Sequence, residues 1–222
     1  MGEGVYPNGL PHPSPALRLR IAAELATVSV LTLVFLLYAP RHTGLYIGMA
    51  LIGMGLVGFS ARETREKIWG PPASPEFDRV RRCTINMSML TLPPIAVFLV
   101  IGVVYDHKIL NINFLWTLCF YLPWALLQQS LFQFYLLGRL RALLPFASPL
   151  LLSIINGVAY GLVHIPGGWE LTLVTIIGGI FWSYSYHRDR YVLPIAISHA
   201  LLASTFFCFV YGRDLIWEFF SK

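Results

Sequence analysis

Seven apolar runs divide this chain, at about residues 21–39, 43–60, 85–105, 112–137, 146–165, 169–186 and 192–211. Each is roughly 17–25 residues long, the length a helix needs to cross the ~30 Å hydrocarbon core of a bilayer. Inside that core the backbone must satisfy its own hydrogen bonds, so an unbroken run of this kind is read as a helix. Composition agrees: 56% of the residues are hydrophobic and 12% charged, about half the charge of an average soluble domain. The mean hydropathy is +0.65. The expected fold class is therefore all-α, a polytopic transmembrane helix bundle of about seven spans. It is laid out as a polar N-terminal tail at 1–20, a single transmembrane domain at 21–211 and a short C-terminal tail at 212–222. Residues 1–17 are polar and rich in Gly and Pro, so no cleavable signal peptide is expected.

The formal net charge is +5. In a membrane protein this points to positive cytoplasmic loops and to membrane lipids as partners, with no nucleic acid. With the N-terminus inside, the inner segments hold Arg18, Arg20, Arg62, Arg65, Lys67, Arg79, Arg81, Arg82, Arg139, Arg141, Arg188 and Arg190. The outer ones hold Arg41, Lys108, Arg213 and Lys222. The expectation is an integral, multi-pass protein of the cytoplasmic (plasma) membrane, N-terminus inside and C-terminus outside. The loop 61–84 is too short and polar to form a domain, although Arg62 to Lys67 could extend a helix. Cys83, Cys119 and Cys208 form neither a CxxC pair nor a Cys/His cluster, so no disulfide framework is indicated. Gly44 with Gly48, and Gly157 with Gly161, make GxxxG pairs that suit close helix packing.

Against this apolar background a few polar residues stand out. Gln129 and Gln133, one turn apart in the fourth run, would share a helix face, with Gln128 about 100° away. Asn156, Tyr160 and His164 form a stripe at steps of four in the fifth run, and Ser198 and His199 lie in the seventh. Such groups cost free energy in hydrocarbon unless they are paired or used. Interhelical hydrogen bonds are one use; a polar cavity among helices four, five and seven is another. Hydrolysis in such a cavity needs an activated water and a stabilised oxyanion. Imidazole can serve as base, whereas glutamine donates and accepts hydrogen bonds but takes no proton. No Asp or Glu lies inside runs four, five or seven. Glu24 is expected to snorkel to the interface, and Glu170 to start a helix.

The pattern resembles the CAAX prenyl endopeptidase and bacteriocin-processing (CPBP, or Abi) family of intramembrane proteases. That family carries EExxxR, FxxxH and Hxxx followed by Asn or Asp on successive helices. Here QQSLFQ stands for the first motif, with Gln128, Gln129 and Gln133. YGLVH stands for the second, with Tyr160 and His164, and HALLA for the third, with His199 and Ala203. The resemblance covers about residues 112–211 and implies a membrane-embedded endopeptidase acting on membrane-anchored peptides or proteins. It assigns catalytic roles to His164, His199, Gln128 and Gln129, with Gln133, Asn156, Tyr160 and Ser198 lining the cavity. The family glutamate that activates water is glutamine here, which spares the architecture and removes the base. A catalytically inactive member acting as a membrane scaffold is thus the alternative, and a small-molecule channel or transporter the outside one. The cofactor stays open. A divalent metal, if bound, would be held by His164 and His199, one ligand short of the three that zinc catalysts use.

One geometric expectation follows. In a fifth helix starting near Pro149, His164 would lie roughly 22 Å along the axis, near the outer face. It can share a level with Gln128 and His199 only if the helix ends early and HIPGG forms a broken turn lining a cavity.

Overall fold

The computed structural model describes residues 14–38, 43–64, 77–107 and 112–213, and every regular element among them is helical. The order is α1 (Pro15–Tyr38), α2 (Thr43–Thr64), α3 (Phe77–Val104), α4 (Ile112–Gln129), a π-helical segment (Ser130–Leu136), α5 (Leu137–Leu143), α6 (Pro149–Leu162), a 3-10 turn (Ile165–Gly167), α7 (Trp169–Asp189), α8 (Val192–Thr205) and a second π-helical segment (Phe206–Val210). Each apolar run thus falls in a helix, and the all-α membrane bundle is borne out. The basic residues Arg41, Arg65, Lys67, Lys108 and Lys222 lie outside the described residues.

Helix starts follow local chemistry. Ser14 and Ser148 each precede a proline and accept a bond from the backbone N–H three residues on, at 3.2 Å in both cases. Serine caps an orphan N–H, and proline at the first helical position has none to lose. This cap starts α1 at Pro15, inside the stretch read as a polar tail. Two ends of the polar loop are also helical, since α2 runs to Thr64 and α3 begins at Phe77. Glu170 sits in the first turn of α7, as expected of a residue favoured by the helix dipole.

By length and composition three helices can cross a membrane: Pro15–Leu37, Phe77–Val104 and Val192–Val210. The fifth run is shorter than expected. Its helix α6 has 14 residues, about 21 Å, because Pro166 and Gly168 break it. Gly168 has φ +102°, a conformation that side chains with a Cβ rarely adopt.

The fold comprises two compact units. Unit 1 holds Met1–Glu66 and Leu131–Arg188. Here α6 lies close against α7: a Cβ at Gly157 would meet the Ile180 Cα at 2.8 Å, and one at Gly161 the Ile176 nitrogen at 2.9 Å. That pair therefore does serve close packing. Gly48 does not, since a Cβ there meets nothing within 4 Å.

Unit 1 also corrects the reading of Glu24. It does not snorkel. Its Oε1 accepts from Tyr135 Oη at 2.7 Å and from Arg139 Nε at 3.0 Å. Arg139, counted above as a loop cation, is 6% exposed, and its guanidinium also stands 5.7 Å from the Tyr135 ring centroid. The ion pair ties α1 to α5.

Unit 2 holds Lys67–Ser130 and Asp189–Lys222. Its contacts fix the sense of three helices. Arg82 faces Asp189 at 4.0 Å, Thr91 Oγ1 faces Ser198 Oγ at 2.7 Å, and the Phe98 and Phe206 rings lie 5.4 Å apart. His107 Nδ1 then donates to the Phe209 carbonyl at 2.7 Å. The numbers rise together, so α3 and α8 run parallel. Against α4 they run oppositely, with Phe114 on Phe209 (5.2 Å) and Tyr121 on His199 (5.5 Å). Such directions are what the third, fourth and seventh passes of an alternating bundle require.

Candidate functional site

In unit 2 the site centres on His199. The side chain is 3% exposed, and both ring nitrogens have partners on α4. Gln129 Nε2 donates to Nδ1 at 3.3 Å. An amide nitrogen can only donate, so Nδ1 holds the lone pair and Nε2 the proton. Nε2 then donates to Tyr121 Oη at 3.4 Å. The Tyr121 ring also meets the imidazole edge-on, at 87°. Tyr121 and Gln129 are eight residues apart and so share one helix face, with Ala125, wholly buried, between them. Sequence reasoning missed Tyr121, and that i, i+8 spacing is the signal that could have found it.

Ser198 precedes His199 but points elsewhere. Successive residues on a helix lie about 100° apart, and Ser198 turns to Thr91 of α3 while His199 turns to α4. It lines the groove between α3 and α8, not the imidazole's surroundings. Gln128 is half-buried, and its Oε1 is buried without a hydrogen-bond partner.

In unit 1 the site is a chain of amides and hydroxyls. Asn156 Nδ2 donates to Gln133 Oε1 at 3.2 Å and to Ser183 Oγ at 2.8 Å. Ser183 passes its own proton to the Gly179 carbonyl at 2.6 Å. Asn156 Oδ1 is buried with no partner. One turn on, Tyr160 is wholly buried between Phe132 (ring centroids 4.9 Å) and Trp182 (5.5 Å), both edge-on. Its own ring lies 5.0 Å from His164. Ser183 escaped the sequence reading, since a serine in an apolar run carries little signal.

His164 stands just past the end of α6, at the start of the 3-10 turn. The early helix end and the broken HIPGG turn are as expected. His164 Nδ1 donates to the Tyr160 carbonyl at 2.9 Å. A carbonyl cannot donate, so Nδ1 carries the proton and Nε2 keeps its lone pair. The two imidazoles are thus held in opposite tautomers, His164 with a basic Nε2 and His199 with a basic Nδ1 already engaged.

The helix changes to π-helical bonding at Ser130, between Gln129 and Gln133. Gln129 bonds to α8 and Gln133 to α6.

Among the described residues, no three or more His, Cys, Asp or Glu are gathered in a group able to hold a metal ion. Each cluster offers one imidazole among amides and hydroxyls, a donor set that does not fit the three protein ligands of catalytic zinc.

Helices of apolar surface enclosing bonded amides, hydroxyls and histidines place the protein in the class of integral membrane proteins with internal polar sites. Residues 110–205 match the family described as type II CAAX prenyl endopeptidase Rce1-like. This segment, which holds α4 to α8 and both histidines, is similar to that family, and the CAAX-protease resemblance is borne out over it. No curated protein and no solved structure matches the chain.

Proposed function

We propose that this chain is a membrane-embedded endopeptidase acting on membrane-anchored peptides, with His164 as its base. The observation that carries this reading is the bond from His164 Nδ1 to the Tyr160 carbonyl. It fixes the ring and leaves Nε2 able to take a proton from water. The water oxygen then bonds to the scissile carbonyl carbon. The C–N bond breaks as the imidazolium returns that proton to the leaving amine. Amide N–H groups are suited to the developing oxyanion.

The test is cleavage of a membrane-anchored peptide library by the purified full chain in lipid nanodiscs. Cleavage by the wild type is expected, with a loss of about 10²–10⁴-fold in His164→Ala. Activity falls as the pH drops through the imidazole's titration, because protonation fills Nε2. Cleavage that survives both His164→Ala and His199→Ala overturns the reading. A second reading, a non-catalytic scaffold, is favoured by the two glutamines, which cannot act as bases. It predicts a wild type that captures the anchored peptides without cutting them.

The same reading places the protein in the cytoplasmic membrane with its N-terminus inside. It is supported by Arg79, Arg81 and Arg82, which start α3 at the end where α8 also starts, while Arg213 follows the far end of α8. A reporter fused after Lys222 is expected to behave as extracytoplasmic; cytoplasmic activity there overturns the orientation.

A further inference from the structure

Unit 2 contains a groove of about 260 Å³ between α3 and α8. Val80, Thr84, Ser88 and Leu92 line it from α3, and Pro194 and Ile197 from α8. The Thr91 and Ser198 hydroxyls at its floor bond to each other, and Thr91 also donates to the Met87 carbonyl. Those two hydroxyls are thereby satisfied, and most of the remaining wall is hydrocarbon. The volume is smaller than the roughly 300–1,000 Å³ of a cleft that encloses a drug-sized ligand, which suits one narrow chain. From Val80 to Leu92 the groove follows α3 for about 18 Å. That is close to one leaflet's share, about 15 Å, of the hydrocarbon thickness.

The charge lies at one mouth. Val80 is flanked by Arg79 and Arg81, with Arg82 next, and Tyr191, which also lines the groove, follows Arg190. Among the described residues the acidic groups at this end are Asp78 and Asp189, and Asp189 faces Arg82. Among the described residues four arginines therefore stand against two carboxylates. Arg81 lies three residues before Thr84, so it projects on the groove side of α3.

We propose that this groove holds one acyl chain of an anionic phospholipid, with the lipid phosphate at Arg81 and its neighbours. Apolar walls alone do not choose among membrane lipids. The choice comes from the guanidinium, which binds phosphate through two parallel hydrogen bonds. Basic pockets between transmembrane helices recognise anionic headgroups in this way. A choline headgroup brings its own cation, which the arginine cluster repels.

The test uses the full chain, purified in detergent and offered equal amounts of phosphatidylglycerol and phosphatidylcholine with identical acyl chains. Native mass spectrometry reads the lipid retained. One bound phosphatidylglycerol is expected, held in preference to phosphatidylcholine. Arg81→Gln weakens it about fivefold. Ser88→Trp fills the groove and removes it. Val103→Trp, at an exposed position on α3 beyond the groove, leaves it in place. Positions 81 and 88 are also exposed, so these variants leave the core intact. Equal retention of the two lipids, or none of either, overturns the proposal. So does a bound lipid indifferent to Ser88→Trp, or one lost equally in Val103→Trp.

Discussion

Replacing Glu24 by alanine is expected to destabilise the protein by about 3 kcal/mol. Removing one partner of a buried ion pair leaves the other charge desolvated and unmatched, at a typical cost of about 3–5 kcal/mol. The lower end applies because the Glu24 side chain is 18% exposed. Arg139 has a 7% exposed side chain and cannot shed its proton, so it must either find water or distort α5. Tyr135→Phe removes one hydrogen bond to a charged acceptor and should cost less, about 1.5–3 kcal/mol. The double change Glu24→Leu with Arg139→Met removes both charges and should recover most of the loss, since apolar groups of similar volume commonly replace a buried pair without penalty. Unfolding in mixed detergent micelles measures all four proteins. A Glu24→Ala loss below about 0.5 kcal/mol, the range of a surface substitution, would show that the pair does not hold α1 to α5.

That ion pair also marks where the sequence stops being legible. Glu24 and Arg139 are 115 residues apart, and each alone looks like a long side chain reaching for the interface. Only tertiary packing makes them partners. The helices were readable because hydrophobic length is a one-dimensional property, and so was the early end of α6, because Pro166 and Gly168 break a helix by local chemistry. Gly157 and Gly161 announced a close approach that Ile176 and Ile180 then occupy. The polar sites were half readable. His199, Gln129, Asn156 and Gln133 drew notice because an amide or imidazole is conspicuous among apolar residues. Tyr121 and Ser183 did not, since tyrosine and serine are ordinary in membrane helices. The change to π-helical bonding at Ser130 was not readable, because it leaves no mark in residue type. Ser198 shows the same limit in reverse: adjacency in sequence to His199 sends it to a different neighbour.

Gln129→Glu should invert the hydrogen bonding of His199 without changing its shape. At present the amide donates into Nδ1, and Nε2 carries the proton towards Tyr121. A carboxylate at position 129 has no proton to give. Nδ1 must then become the donor, and in the neutral ring the lone pair moves to Nε2, where the Tyr121 hydroxyl can donate to it. The result is a carboxylate holding an imidazole with its far nitrogen basic, the relation that orients the histidine in hydrolytic triads. Adding Gln128→Glu supplies a second carboxylate where the resembled family carries its water-activating glutamate. If glutamine is what limits this protein, the double variant should cleave membrane-anchored peptides at least about 10²-fold faster than the wild type, the lower range for an added general base. His199→Ala in that background should return the rate to the wild-type level. Nitrogen chemical shifts of labelled histidine report the tautomer independently of any substrate. A His199 ring that keeps its proton on Nε2 beside Glu at position 129 would refute the geometry argued here. A switched tautomer without added cleavage would place the missing function elsewhere than in the two glutamines.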